Sequence, residues 1–239
     1  MKDFVLAQNW WQFLLMAIVC YGIGCLNFAV IFSRLQKRDI TKMGSGNPGT
    51  MNMSREFGWR LGVATFACDA LKAGIPALIS YFIYKNYVFA GTDVAVSDLT
   101  RYWCGLFVVV GHIFPAQLRF KGGKGIAATL GLCWLSLSCE NAWWLPIGLG
   151  FFFGLVFFIL VTEWGSLGSL VGVTGLSIAQ MVIFLSRYGE MVFNSYLVAT
   201  YLIIFIINVL TWAAHAKNLT RLFAGEEHRT SVRKLAKKK

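Results

Sequence analysis

Charged residues are scarce in this chain: Asp, Glu, Lys and Arg make up 14% of its 239 residues, against 57% hydrophobic. A soluble domain carries roughly a quarter charged residues, so the shortage excludes an ordinary soluble fold. The apolar residues fall in long runs, as in a chain dissolved in lipid. Acidic residues are scarcer than basic ones, 11 against 22, for a formal net charge of +11. Such an excess suits a nucleic-acid binder when the cations share one soluble face. Here they lie between apolar runs and in the tail, so no nucleic-acid partner is expected. Paired cysteine spacing is also missing. Cys20, Cys25, Cys68, Cys104, Cys133 and Cys139 contain no C-x-x-C and mostly sit inside apolar runs, which argues against a disulfide framework or a metal site. Residues 1–8 lack the basic start and small-residue cleavage site of a signal peptide, so the first apolar run is expected to stay as a span.

A helix needs about 20 apolar residues to cross the hydrocarbon. Runs 10–32, 61–84, 143–161, 167–185 and 196–212 are near or above that length, and the shorter runs 102–114 and 126–137 flank a basic, glycine-rich loop. Counting all of them predicts one all-α polytopic domain over residues 1–239 with about seven transmembrane helices. Basic loops favour the cytoplasmic side. Loop 33–60 carries Arg34, Lys37, Arg38, Lys42, Arg55 and Arg60, loop 119–124 carries Arg119, Lys121 and Lys124, and the tail at about 215–239 is basic as well. Segments 85–101, 138–141 and 186–194 hold few basic residues and the acidic Asp93, Asp98, Glu140 and Glu190. Seven crossings with the N-terminus outside and the C-terminus in the cytoplasm satisfy every loop. Five crossings with a re-entrant central hairpin satisfy the same signs.

Four polar constellations fall on the predicted cytoplasmic face. The first runs from Gly44 to Arg55, where Ser45, Asn47 and Asn52 accompany glycines, Pro48 and Arg55. Glycine and proline permit a tight turn with backbone N–H groups facing outward, and Arg55 can grip a phosphate with two prongs. Taken alone it is also what an ordinary solvated loop looks like. The second joins Gly111-His112 and Phe114-Pro115 to Arg119-Phe120-Lys121-Gly122-Gly123-Lys124-Gly125, just before a predicted helix. Glycines and lysines there make a nest of N–H groups aimed at an anion. It is not a nucleotide loop of Walker type, because Gly125 follows Lys124 where serine or threonine is required. The third contains Glu163 and Ser166, and the fourth contains His215, Asn218, Arg221, Gly225 and Glu227. Asp69 and Lys72, one turn apart inside an apolar run, are expensive in lipid unless paired, and a structural ion pair is their expected role. No histidine has an aspartate five residues on, which disfavours the H-x-x-x-x-D acyltransferases that use thioesters.

In order and spacing these constellations resemble the PlsY-type acyl-phosphate:glycerol-3-phosphate acyltransferases of bacteria, over nearly the whole chain. The first family motif is similar to Ser45-Gly46-Asn47, Gly49, Asn52 and Arg55; the second to Gly111-His112, Phe114-Pro115 and Phe120 to Gly125; the third to His215, Asn218, Arg221, Gly225 and Glu227. The chain departs from the family at Thr50-Met51, Gln117, Ile126-Ala127-Ala128 and Gly168. The resemblance implies acyl transfer from acyl phosphate to the sn-1 hydroxyl of glycerol 3-phosphate, on the cytoplasmic side of a bacterial inner membrane. It implies Ser45, Arg55, His215, Asn218 and Ser166 as catalytic, and Asn47, Asn52, His112, Arg119, Lys121, Gly122, Gly123, Lys124 and Gly125 as substrate-binding. Glu227, Asp69 and Lys72 would be structural. No cofactor or metal is implied, and the expected partners are the two substrates, the bilayer and an enzyme that supplies acyl phosphate.

Overall fold

The computed structural model describes residues 1–162 and 164–225. Glu163 and Glu227 lie outside the described residues. The chain runs β1 (Lys2–Phe4), α1 (Leu6–Cys25), α2 (Phe28–Leu35), α3 (Thr50–Phe57), α4 (Trp59–Tyr84), β2 (Tyr87–Phe89), α5 (Val96–Ile113), α6 (Ile126–Glu140), α7 (Trp144–Thr162), α8 (Gly165–Tyr188), α9 (Ser195–Ala214) and α10 (Ala216–Phe223). The architecture is helical, as composition predicts, with one addition: β1 and β2 pair in parallel, Asp3 opposite Val88. Phe4 anchors this ribbon, edge-on against Phe13, Tyr84 and Phe89.

Five stretches are long and apolar enough to cross a membrane: Leu6–Leu35, Trp59–Tyr84, Val96–Leu118, Gly165–Phe193 and Ser195–Ala214. Ile126–Glu140 and Trp144–Ile159 are apolar but shorter. The third stretch starts earlier than run 102–114 suggests, because α5 absorbs the charged pair Asp98 and Arg101. Both side chains are buried and bonded to one another, which removes the penalty that makes them look like a loop in sequence.

The first apolar run, expected as one helix over 10–32, is two. Leu26 and Asn27 are extended, and the Asn27 side chain caps α2 by accepting from Val30 N at 3.0 Å. Breaking a helix in lipid strands the last carbonyls of α1 without partners. Lys72 of α4 supplies them: its Nζ donates to Leu26 O at 2.6 Å and Gly24 O at 3.2 Å.

Glycines set the helix crossings around this point. Gly24 and Gly111 face each other where α1 meets α5, and Gly131 of α6 lies on the Ala70 backbone of α4. Without Cβ atoms the backbones approach directly, the usual device of helices packing in lipid. At the opposite end of α5 and α6, a buried charge cluster closes the bundle. Arg101 bonds Asp98, Glu140 Oε1 (2.7 Å) and the Ser136 carbonyl (2.6 Å). Tyr188 OH donates to Asp98 Oδ2 at 2.6 Å, and Arg187 reaches both carboxylates.

Candidate active site

The basic loop after α5 folds back on it. Gly122 N donates to Ile113 O at 2.9 Å and Gly123 N to His112 O at 3.1 Å, so the glycines lie flat against the end of α5. Gly125, with φ of +83°, then turns the chain into α6 and is its N-cap. That conformation is open to glycine and strained for other residues. The first N–H groups of α6 have no acceptor within their own helix, and α6 opens between Lys124 and the buried interior.

Two other segments meet this loop, and a third joins the second. The first is the turn before α3. Asn27 Nδ2 donates to Pro48 O at 3.2 Å, and the same carbonyl packs against Gly123. Asn52 shapes that turn: it is 2% exposed, its Oδ1 accepts from Ser45 N at 3.1 Å, and its Nδ2 donates to Met43 O at 2.9 Å. The Asn52 amide, expected as a substrate ligand, is therefore engaged by the backbone of its own loop. Ser45 is exposed at the tip, Asn47 is half-buried beside it, and Arg55 is half-buried on α3. Arg119 and Lys121 are exposed.

The second is the end of α9, where Thr211 packs against Gly125 and His215 caps the helix. His215 is 4% exposed, with Nδ1 2.8 Å from Thr211 O. A carbonyl only accepts, so Nδ1 carries the hydrogen and Nε2 keeps its lone pair. Burial lowers the His215 pKa to about 4, aided by the Lys124 cation and opposed by the Thr211 bond. The third is the start of α8: Asn218 Nδ2 donates to Ser166 Oγ at 2.7 Å, and Arg221 donates to Asn218 Oδ1 at 3.0 Å. Ser166 is thus joined, across 52 residues of sequence, to the segment that carries His215 and Asn218.

The His215 shift has a stability consequence. An unfolded histidine takes its proton near 6.5 and the folded one near 4. The folded state binds fewer protons between those values, so the His215 contribution is fully present above pH 6.5 and is lost as pH falls toward 4. Thermal midpoints of the wild type should therefore fall more steeply over that interval than those of His215→Asn. Parallel curves would mean that His215 titrates normally.

Beneath the loop sits the Asp69–Lys72 pair, 2.8 Å apart, as the spacing predicts. It has a third member that sequence reasoning did not connect to it: Lys72 Nζ is 2.9 Å from His112 Nδ1. Asn27 and Thr211 were also missed as site-builders. Of these only Asn27 carries a readable signal, an amide ahead of an apolar segment, which is what a helix N-cap looks like.

The glycerol-3-phosphate acyltransferase family model matches residues 14–225. This chain belongs to that family, in its PlsY branch. It is 31% identical over 233 residues to the glycerol-3-phosphate acyltransferase of Mycoplasmopsis pulmonis, covering 95% of this chain and 96% of the relative. It is similar in structure to PlsY, an integral membrane glycerol 3-phosphate acyltransferase, in its glycerol 3-phosphate form. The TM-score is 0.72 at 28% identity, over 95% of this chain and all of that one. The lysophosphatidic acid form of PlsY matches with a TM-score of 0.69 at 28% identity, over 94% of this chain and 98% of that one. Composition and helix length independently give a multi-pass membrane protein, and family membership makes it a glycerol-3-phosphate acyltransferase.

Proposed function

We propose that the protein transfers a fatty acyl group from acyl phosphate to the sn-1 hydroxyl of glycerol 3-phosphate, the first step of membrane phospholipid synthesis. The observation that carries this reading is the convergence of the glycine loop 122–125, the turn 45–49 and the joined segments that carry Ser166, His215 and Asn218 at one end of the bundle. Both substrates are phosphorylated, so the site must hold two anions against their mutual repulsion. Arg55, Arg119, Lys121 and Lys124, with the N–H groups at the start of α6, are the cations and donors for that task. The acyl chain stays in lipid while the polar acceptor enters from water. The charge pattern of the loops supports a cytoplasmic site and suits either seven crossings or five with a re-entrant central hairpin, and the likeness to bacterial enzymes supports an inner-membrane location.

The glycerol hydroxyl oxygen attacks the acyl carbonyl carbon, and the bond from that carbon to the phosphate oxygen breaks. The departing phosphate keeps the bonding electrons. His215 Nε2 has a lone pair with which to orient the hydroxyl, but a group that protonates near pH 4 is a weak base. A phosphate dianion, with its second pKa near about 6, is the stronger acceptor, so the hydroxyl proton leaves with phosphate. No covalent enzyme intermediate is required, since acyl phosphate is already activated and positioning with charge stabilisation lowers the remaining barrier. Ser45 accordingly serves as a hydrogen-bonding group.

The test is to incubate the purified protein in lipid with a long-chain acyl phosphate and glycerol 3-phosphate. Phosphate and lysophosphatidic acid should appear in equal amounts. Arg55→Ala should slow both by about 100-fold or more, the scale for losing one strong donor to a charged transition state. Turnover with acyl-CoA alone would replace the donor in this reading, and no product from folded protein would reject it.

A further inference from the structure

We infer that His112 is a neutral Nε2–H donor to the anion held by the glycine loop, and that Lys72 and Asp69 are positioning residues that fix its tautomer. The inference builds on the acyltransferase reading above and assigns the buried pair a part in it.

The argument is one of hydrogen-bond accounting. Lys72 Nζ uses its three hydrogens on the carbonyls of Gly24 and Leu26 and on His112 Nδ1 at 2.9 Å, with Asp69 Oδ1 2.8 Å away as its charge partner. The carbonyls and the carboxylate only accept, and the adjacent carboxylate holds the amine as an ammonium. An ammonium has no lone pair, so Nδ1 must be the acceptor and cannot carry a hydrogen. Asp69 does not compete for Nδ1, because its nearest oxygen is 3.7 Å away, beyond hydrogen-bond reach. His112 therefore carries its single ring hydrogen on Nε2.

That hydrogen has a direction. His112 is 3% exposed, and Nε2 makes no hydrogen bond among the described residues. It abuts the face of Gly123 where a side chain would begin, so any Cβ there would overlap the ring. Nε2 is not among the fully buried polar atoms left without a partner, so the little exposure His112 keeps leaves this donor open to an acceptor from outside the protein. A phosphate oxygen beside the start of α6 is such an acceptor. His215, on the far side of the loop, holds the opposite tautomer, with Nδ1–H bonded to Thr211 O. The loop thus lies between one imidazole that donates through Nε2 and one that accepts through it.

Two measurements test this. In nitrogen-15 histidine spectra of the wild type without substrate, assigned by replacing each of the three histidines in turn, His112 should show the neutral Nε2–H form at neutral pH. That form should be lost in Lys72→Met. A His112 that is Nδ1–H or doubly protonated in the wild type overturns the inference, even if Lys72→Met does not fold.

The kinetic arm compares two amides. A glutamine nitrogen can stand in for Nε2, whereas an asparagine oxygen can stand in for Nδ1 and satisfy Lys72 without reaching the loop. For glycerol 3-phosphate, KM should rise about tenfold more in His112→Asn than in His112→Gln, the scale of one hydrogen bond to a charged group. A purely structural histidine predicts the reverse order, since only asparagine would keep the Lys72 contact. The reverse order, or equal effects, overturns the inference. If the wild type transfers no acyl group, the acyltransferase reading fails by itself. The spectra, and calorimetry of the two variants with inorganic phosphate, then still decide the role of His112.

Discussion

Gly123→Ala should lower acyl transfer by about 100-fold or more, the order of loss expected when reacting groups are displaced by an ångström. The added methyl would meet the His112 ring on one side and the Pro48 carbonyl on the other. Neither can step aside: the ring is held by Lys72 at 2.9 Å, and Pro48 O is held by Asn27 at 3.2 Å. The loop itself must lift, taking Lys124 and the N-terminus of α6 with it. Overpacking of this kind destabilises by about 1–3 kcal/mol, so the variant should still fold. Gly154→Ala is the matched control, because nothing lies within 4 Å of a Cβ there. Turnover and thermal midpoint measured on both variants check the prediction, and wild-type turnover in Gly123→Ala would refute the loop's role.

Arg101→Met should cause the largest loss of stability away from the site, roughly 3–5 kcal/mol, as for breaking other buried ion pairs. The guanidinium is fully buried between Asp98 and Glu140, and its loss leaves two carboxylates facing each other with the half-exposed Arg187 as their remaining cation. Adding Glu140→Gln should restore part of the loss by removing one of the stranded charges. Thermal unfolding in a fixed detergent, comparing the single and double variants, reads both effects. A double variant no better than the single one would mean that the cluster acts through packing and not through charge.

The helical class, the apolar stretches and the site loops were legible because each follows from local rules. Run length marks lipid, basic residues mark one side of it, and glycines before a helix mark an anion nest. Asp69 and Lys72 were legible as a pair because three residues make almost one helical turn. What stayed hidden depends on contacts between distant segments. The break at Leu26–Asn27 is invisible in a hydropathy profile, since both halves are apolar and the repair comes from Lys72, about 46 residues later. Val96–Ser97 looks like loop because Asp98 and Arg101 cancel only after Glu140 and Arg187 arrive. Asn52 looks like a ligand because its type suits one, whereas its burial against Met43 and Ser45 commits it to the turn.

The same repair ties the order of assembly in the membrane to the chemistry. While α4 is inserted alone, Lys72 has only Asp69 on its own helix as a partner. Its remaining hydrogens find acceptors when α1 docks with Gly24 and Leu26 and α5 brings His112. These three helices therefore lower one another's insertion penalty and mature as one unit. Before α5 arrives, Lys72 can be served by Asp69 and the two α1 carbonyls, so α5 is the helix that connects an already paired ammonium to the site, through His112.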